Sequence, residues 1–394
     1  MSVPVWIMEP LSCLQKMAEI MEYTSLLDKA NDEPDEFRRA AFVCAFALSP
    51  YAANNRTWKP FNPILGETFE LHVDGNDGVG GKDVRYIAEQ ISHHPPIAVA
   101  HGENEKWLYD ITAGTKTTFL GNSIEINCVG RTRITLRKTG ETFTILPPIS
   151  KVQNLFVGGA WVDNYGELIV KNRTTGVTAT LVLEPCGWFG ANRYECNGEV
   201  TDAEGKPKLL LAGKCNEDLA MIPCNEQGEP VEDESAEVSL WKATQERPEG
   251  DYYGFTYFAL RMNDALKSNK TGNIVKTLAS DCRRRDDRAM LSACQSSKAG
   301  TAKNVIEDHQ RTERSEREKR GDKWQTRWFS PLESVDDEGT IKKFKPYEDE
   351  ASEVELPCFA FNGKLPDLVE NDEEQIGVGF CPWQYRTTPV EVKY

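Results

Sequence analysis

Two adjacent histidines followed by two prolines form the most chemically suggestive stretch of this 394-residue chain, Glu89-Gln90-Ile91-Ser92-His93-His94-Pro95-Pro96. The pair uses two of only five histidines. Successive strand residues face opposite ways, but a following proline restricts His94 and ends strand pairing, so both rings can serve one side. Several chemistries fit. A metal site needs a further ligand close by, and His72 and His101 are the only other histidines in this region. A catalytic base needs a nucleophile, yet no Gly-x-Ser-x-Gly elbow and no recognisable Cys–His spacing accompany the pair. Two imidazoles can instead donate hydrogen bonds to a phosphate. The plain alternative is a pair of histidines that cap a turn.

Two more segments carry polar groups in suggestive patterns. Lys59-Pro60-Phe61-Asn62-Pro63-Ile64-Leu65-Gly66-Glu67 is a proline-stiffened turn with a cation at its entrance and an amide inside it. Lys303, Glu307 and Arg311 stand at i, i+4 and i+8. That spacing puts two cations and a carboxylate on one helical face, as an ion-binding row or as an ordinary surface ladder.

These groups need elements to hold them. Apolar residues at helical spacing (Leu11, Leu14, Met17, Ala18, Met21) predict a helix opened by Pro10, and a second begins at Pro34 and stops at Ser49-Pro50. From Thr68 the period becomes two: Phe69-Leu71-Val73, Ile124-Ile126-Cys128, Ile134-Leu136, Phe143-Ile145 and Leu168-Val170 alternate with other residues. Polar, glycine-rich breaks such as 74–78 and 138–140 separate them. Further strands fit 178–183, 208–212, 238–241 and 255–260, and the histidine pair stands at the end of another. Many short strands without intervening helices predict a large antiparallel sheet or barrel. Helical pattern returns at 263–266, 274–278 and most clearly at 302–320, where Glu313-Arg317 and Glu316-Arg320 have ion-pair spacing and Gly321 breaks the run.

Composition excludes several function classes. The formal charge is −16 and apolar residues make up 39% of the chain. A general nucleic-acid binder neutralises phosphates with excess cations, and loose adsorption to anionic lipid needs basic clusters. The charge is uneven: 17 Lys and Arg against 10 Asp and Glu over 261–330 leave +7 there and −23 elsewhere. No apolar run is long enough to span a bilayer, and the N-terminus lacks signal-peptide features. Eleven scattered cysteines without a Cys-x-x-Cys pair predict reduced thiols rather than disulfides or a zinc site. The expectation is a cytosolic chain that touches membranes only transiently.

Taken together, the histidine segment resembles the fingerprint of the oxysterol-binding-protein-related lipid-transfer domains, with Ile91 where valine is usual. The loop from Lys59 to Glu67 resembles that family's second signature. Similar blocks are Trp161-Val162-Asp163-Asn164-Tyr165-Gly166, Pro185-Cys186-Gly187-Trp188-Phe189-Gly190 and Trp324-Gln325-Thr326-Arg327-Trp328-Phe329. The resemblance runs from about Pro4 to Phe329.

It implies an α+β, mainly antiparallel β fold: a large near-complete β-barrel around a lipid tunnel, with N-terminal helices and a C-terminal helical subdomain. On this reading 1–394 is one lipid-binding unit, with helices over about 1–55, the barrel over 56–260, a basic helical part over 261–330 and an acidic, poorly matching tail over 331–394. The resemblance implies a non-enzymatic protein without cofactor or metal that binds phosphatidylinositol 4-phosphate and exchanges it for a sterol or another lipid. A phosphoinositide sensor or scaffold without net transport is the alternative. Carried over, Lys59, Asn62, His93, His94, Lys303 and Arg311 would hold headgroup phosphates, and Glu307 would accept from inositol hydroxyls. Two departures stand out. Only Met1 to Met8 precede Glu9-Pro10, too little for the family's amphipathic lid, and the family's Arg-Pro-Asp reads Arg285-Asp286-Asp287 here.

Overall fold

The structure is a computed structural model that describes residues 4–73, 83–225, 227–231, 237–264, 277–331, 333–335, 341–343, 359–362 and 380–383. The glycine-rich break at 74–78 and nearly all of the acidic tail lie outside these residues, as do large parts of the short helices expected at 263–266 and 274–278.

In chain order come strand β1 (Met8–Ser12), helices α1 (Cys13–Ala18), α2 (Ser25–Asp32) and α3 (Glu36–Leu48), and strand β2 (Lys59–Phe61). Then follow β3 (Thr68–Val73), β4 (Val84–His93), β5 (Pro96–Glu103), β6 (Trp107–Phe119), β7 (Ile124–Leu136), β8 (Thr142–Leu146) and β9 (Ile149–Gln153). The strands continue as β10 (Trp161–Asn172), β11 (Thr178–Leu183), β12 (Glu195–Thr201), β13 (Pro207–Lys214), β14 (Asp218–Pro223) and β15 (Val238–Lys242). Helices α4 (Tyr257–Arg261), α5 (Asp286–Ser292) and α6 (Ser296–Arg320) follow, then short strands including β16 (Phe329–Pro331).

Strands β3 to β15 form one 13-stranded sheet, antiparallel throughout. Alternation builds it: in β11 Ala179, Leu181 and Leu183 are buried, beside Leu168 and Val170 of β10 and Cys196 and Val200 of β12. One contiguous core takes inward residues from both ends of the strand order, Phe69 of β3 and Trp241 of β15 among them, together with Leu14, Leu27 and Phe46 of the three N-terminal helices. A sheet whose two ends share one core is curled on itself, the near-complete barrel expected. Helix α3 is buried on nearly every side, which its apolar run Ala40-Ala41-Phe42-Val43-Cys44-Ala45 demands. The edge of β3 is covered by the segment before α5, where the Thr68 N–H donates to the Ser280 carbonyl at 2.9 Å.

The helix expected to open at Pro10 opens at Cys13 instead. Ser12 caps it, and the Ser12 N–H donates to the Gln15 side chain at 2.9 Å, which leaves Pro10 inside β1. Helix α3 ends at Leu48, before Ser49-Pro50 as expected, and the chain then continues as a 3₁₀ turn to Asn55. The strand expected at 255–260 is α4, because the Thr256 hydroxyl accepts the Ala259 N–H at 3.0 Å and starts a helix there. Helix α6 begins earlier than expected and ends on Gly321, whose φ of 72° supplies the left-handed cap. On it Arg320 pairs with Glu313 (3.8 Å) and Asp322 (2.7 Å), not along the Glu316 row.

Candidate functional site

The loop between β2 and β3 is rigid because its polar groups are consumed internally. Strand β2 runs parallel to β1, with Met8 opposite Lys59 and Ser12 opposite Phe61. The fully buried Glu67 carboxylate accepts from the Ser12 hydroxyl, from the Ile64 N–H (3.0 Å) and from Arg285 (2.8 Å). Arg285 also donates to the Asn62 carbonyl at 2.9 Å and holds Asp287 through two bonds of 3.0 and 2.7 Å. Such a fork satisfies two buried carboxylates with one cation. Asp286 takes the first helical position of α5, where the family's proline would sit, so the departure leaves this turn intact. Gly66 has φ of 79°, and a Cβ there would lie 2.5 Å from the Trp324 ring. Its N–H donates to the Gln90 carbonyl, and the Gln90 N–H returns to the Glu67 carbonyl, each at 2.9 Å, which stitches the loop to β4.

At the end of β4 the His93 and His94 rings meet edge to face with centroids 4.7 Å apart. The turn is tight, with Pro96 pairing back to His93 and a cis bond between His94 and Pro95. Glu89, buried behind them, accepts from the backbone N–H groups of Arg327 (3.0 Å) and Trp328 (3.1 Å), so the tryptophan-rich block at 324–329 braces the fingerprint. His93 is half-buried, and its Nδ1 has no hydrogen-bond partner among the described residues. Burial pushes its pKa below the ordinary imidazole value; His94 adds to this, and the Pro63 carbonyl partly opposes it. His94 is exposed.

Helix α6 supplies the third wall. Lys303 is buried and donates to Glu307 at 2.5 Å, Arg311 reaches Glu307 at 3.5 Å and also pairs with Asp308, and the Gln310 side chain accepts the Leu65 N–H at 3.2 Å. Asn62, His93, His94, Lys303, Glu307 and Arg311 line one pocket of about 240 Å³ with Pro63, Ile64 and Arg285. Lys59 stands behind this wall: its ammonium donates to the Asn62 side chain at 2.6 Å. Burial lowers the Lys59 pKa, and Lys303 and Arg285 lower it further. A second pocket of about 330 Å³ shares the histidine pair and adds Arg314, Arg317, Trp324 and Trp383.

Six of the seven residues picked out in the sequence therefore line one pocket from three distant segments, and the seventh, Lys59, stands behind it on the Asn62 side chain. Sequence reasoning missed Gln310 and Arg314, although they extend the helical face at i+7 and i+11 from Lys303. It also missed the supporting role of Arg285, which no spacing announces. The assembled site is a cationic, donor-rich cleft with one carboxylate, suited to a phosphorylated polyol and without an apparent nucleophile–base pair.

The oxysterol-binding protein family model matches residues 1–353. Oxysterol-binding protein-related protein 3B of Arabidopsis thaliana is 41% identical over 391 residues, covering 98% of this chain and 80% of the relative. Its namesake 3C is 39% identical over 399 residues, covering 99% and 81%. Among solved structures, the Osh1 ORD domain in complex with ergosterol is similar with a TM-score of 0.76 at 28% identity, over 92% of this chain and 82% of that one. The Osh3 ORD of Saccharomyces cerevisiae in complex with PI(4)P has a TM-score of 0.70 at 28% identity, over 87% and 85%. The chain belongs to the oxysterol-binding protein family.

Proposed function

We infer that this protein is a lipid carrier that takes up phosphatidylinositol 4-phosphate headgroup-first, exchanges it for a sterol or another lipid, and moves both between membranes, with residues 1–394 acting as one lipid-holding unit. The observation that carries this reading is the convergence of Asn62, His93, His94, Lys303, Glu307 and Arg311 on one pocket. In the proposal His93, His94 and Arg311 donate to phosphate, Lys303, Lys59 and Asn62 hold the remaining headgroup oxygens, and Glu307 accepts from ring hydroxyls. Charge-assisted donors around a dianion supply affinity and favour it over uncharged headgroups, which offer them no charge to pair with. Two solved relatives in complex with ergosterol and with PI(4)P support both ligand classes. The lipid leaves as it entered, so the reading is of binding rather than catalysis.

Extraction of labelled phosphatidylinositol 4-phosphate from vesicles tests it, with the wild-type chain set against a His93→Ala/His94→Ala double variant. The wild type should extract and the variant should not. Equal extraction by both would remove the headgroup site.

A further inference from the structure

The turns at the two ends of the 13-stranded sheet differ in kind. At one end the connections 104–106, 137–141, 173–177 and 202–206 all carry charge, from Lys106 and Arg137 to Arg173 and Asp202. At the other end the connection after β6 reads Leu120-Gly121-Asn122-Ser123, and that after β9 reads Asn154-Leu155-Phe156-Val157-Gly158-Gly159-Ala160, without a charge in either. The connection between β11 and β12 presents Trp188-Phe189 at its tip; its two charges stand away from that tip, Glu184 at the base where its N–H meets the Glu195 carbonyl, and Arg193 4.3 Å over the Trp161 ring. The charged turn 215–217, with Glu217, is a short exception in this row.

Register places these uncharged tips beside the headgroup site. Ile97 pairs with Gly114, Ile124 with Val152, Trp161 with Gln153 and Leu183 with Cys196. The His93–Pro96 turn and the three tips therefore leave the sheet at the same end. Two of the tips are joined: the Asn122 side chain accepts the N–H groups of Phe156 (2.9 Å) and Val157 (3.2 Å), and the Phe119 and Phe156 rings lie 6.2 Å apart.

The side chains they hold are turned outward. Phe119 is 61% exposed, Phe156 75%, Val157 74%, Trp188 89% and Phe189 104%. Phe189 also sits at φ 59°, ψ 21°, a left-handed conformation uncommon for an aromatic residue. Nothing in the described fold covers the ring that this conformation presents.

We propose that these three hairpin tips dock on a neutral lipid bilayer, inserting Phe119, Leu120, Phe156, Val157, Trp188 and Phe189 into its interfacial layer. Trp and Phe belong at that boundary, and turns without charge enter it without desolvating ions. Separate fingertips suit a surface that deforms around each of them, whereas a protein partner needs about 800 Å² of continuous complementary area. The inserted side chains of the three tips are all uncharged, so their own contact with the bilayer is apolar and indifferent to salt. The inference deepens the lipid-carrier reading and rests on it for its purpose: the tips bring the histidine pocket to the membrane from which a headgroup is taken.

Flotation of the full chain with pure phosphatidylcholine vesicles, at low and high salt, tests this. The wild type should float in both. Phe156→Ser/Trp188→Ser should keep the wild-type melting temperature yet lose at least about tenfold in partition coefficient. Glu105→Ser/Glu204→Ser, at the opposite end, should float normally. The proposal is overturned if the tip variant partitions like wild type, or if binding requires anionic lipid and vanishes in salt. It is equally overturned if the tips join copies of this chain, seen as a dimer in sedimentation velocity that the tip variant dissolves while vesicles bind neither protein. These vesicles hold no phosphoinositide, so His93→Ala/His94→Ala should float normally, which keeps failure of the docking surface distinct from failure of the headgroup site.

Discussion

Arg285→Met removes the cation on which the loop from Lys59 to Glu67 depends. The arginine is 3% exposed, while Glu67 and Asp287, which it bridges, are fully buried. Methionine fills similar space but leaves two buried carboxylates without their counter-ion. Breaking a buried pair from one side costs about 3–5 kcal/mol. That corresponds to a melting-temperature fall on the order of 4–6 °C for a chain of this length. The deficit should depend on pH. Burial already raises the Glu67 pKa while Arg285 opposes it, so removing the cation raises it further and the variant loses stability as pH rises above the unfolded carboxyl value. Thermal melts should therefore show a smaller deficit near pH 5, close to the unfolded glutamate value of about 4, than near pH 8. Arg285→Lys keeps the charge but cannot fork to two carboxylates and the Asn62 carbonyl, and should fall between the two. Phosphoinositide extraction should drop with the same ranking because Asn62 loses its backbone anchor. A methionine variant that melts within a degree of wild type at both pH values would refute this account, as would a deficit independent of pH.

Other outcomes follow from the same geometry. Gly66→Ala should lower the melting temperature and shift tryptophan emission, since a left-handed alanine costs about 1–2 kcal/mol and its Cβ meets Trp324; unchanged melting and emission would contradict the close packing. Arg311→Ala should melt like wild type, because the side chain is 64% exposed. It should nonetheless weaken headgroup binding about 10- to 100-fold, the worth of a charged hydrogen bond to phosphate, in a vesicle competition assay. Because the His93 pKa is depressed in the free protein, its contribution to stability is present above about 6.5, the unfolded value, and is lost as pH falls below it. A bound phosphate reverses this by favouring the imidazolium. Calorimetry in buffers of different ionisation enthalpy should record proton uptake near neutral pH, absent in His93→Ala/His94→Ala.

What was legible in the sequence was what alternation or helical spacing encodes directly. Residues 178–183 read as a strand because one face alone is buried, and 302–320 read as a helix with Lys303, Glu307 and Arg311 in a row. Strand β4 is harder, since six successive residues from Tyr86 to Ile91 are buried and erase the alternation. The misplaced helix start and the misassigned 255–260 share a cause: a hydroxyl cap at Ser12 or Thr256 overrides the apolar pattern around it. Within the site the helix face could be extended to Gln310 by counting. Arg285 could not be found, because its partners Glu67 and Asn62 lie more than two hundred residues away and only the fold brings them together.

The central claim is that the pocket beside His93 and His94 holds an intact phosphoinositide monophosphate. Native mass spectrometry of the chain after incubation with vesicles containing phosphatidylinositol 4-phosphate measures this most directly. The account predicts one intact lipid per chain for the wild type and none for His93→Ala/His94→Ala. An empty wild-type chain, equal loading of both proteins, or a headgroup released from its lipid would contradict it.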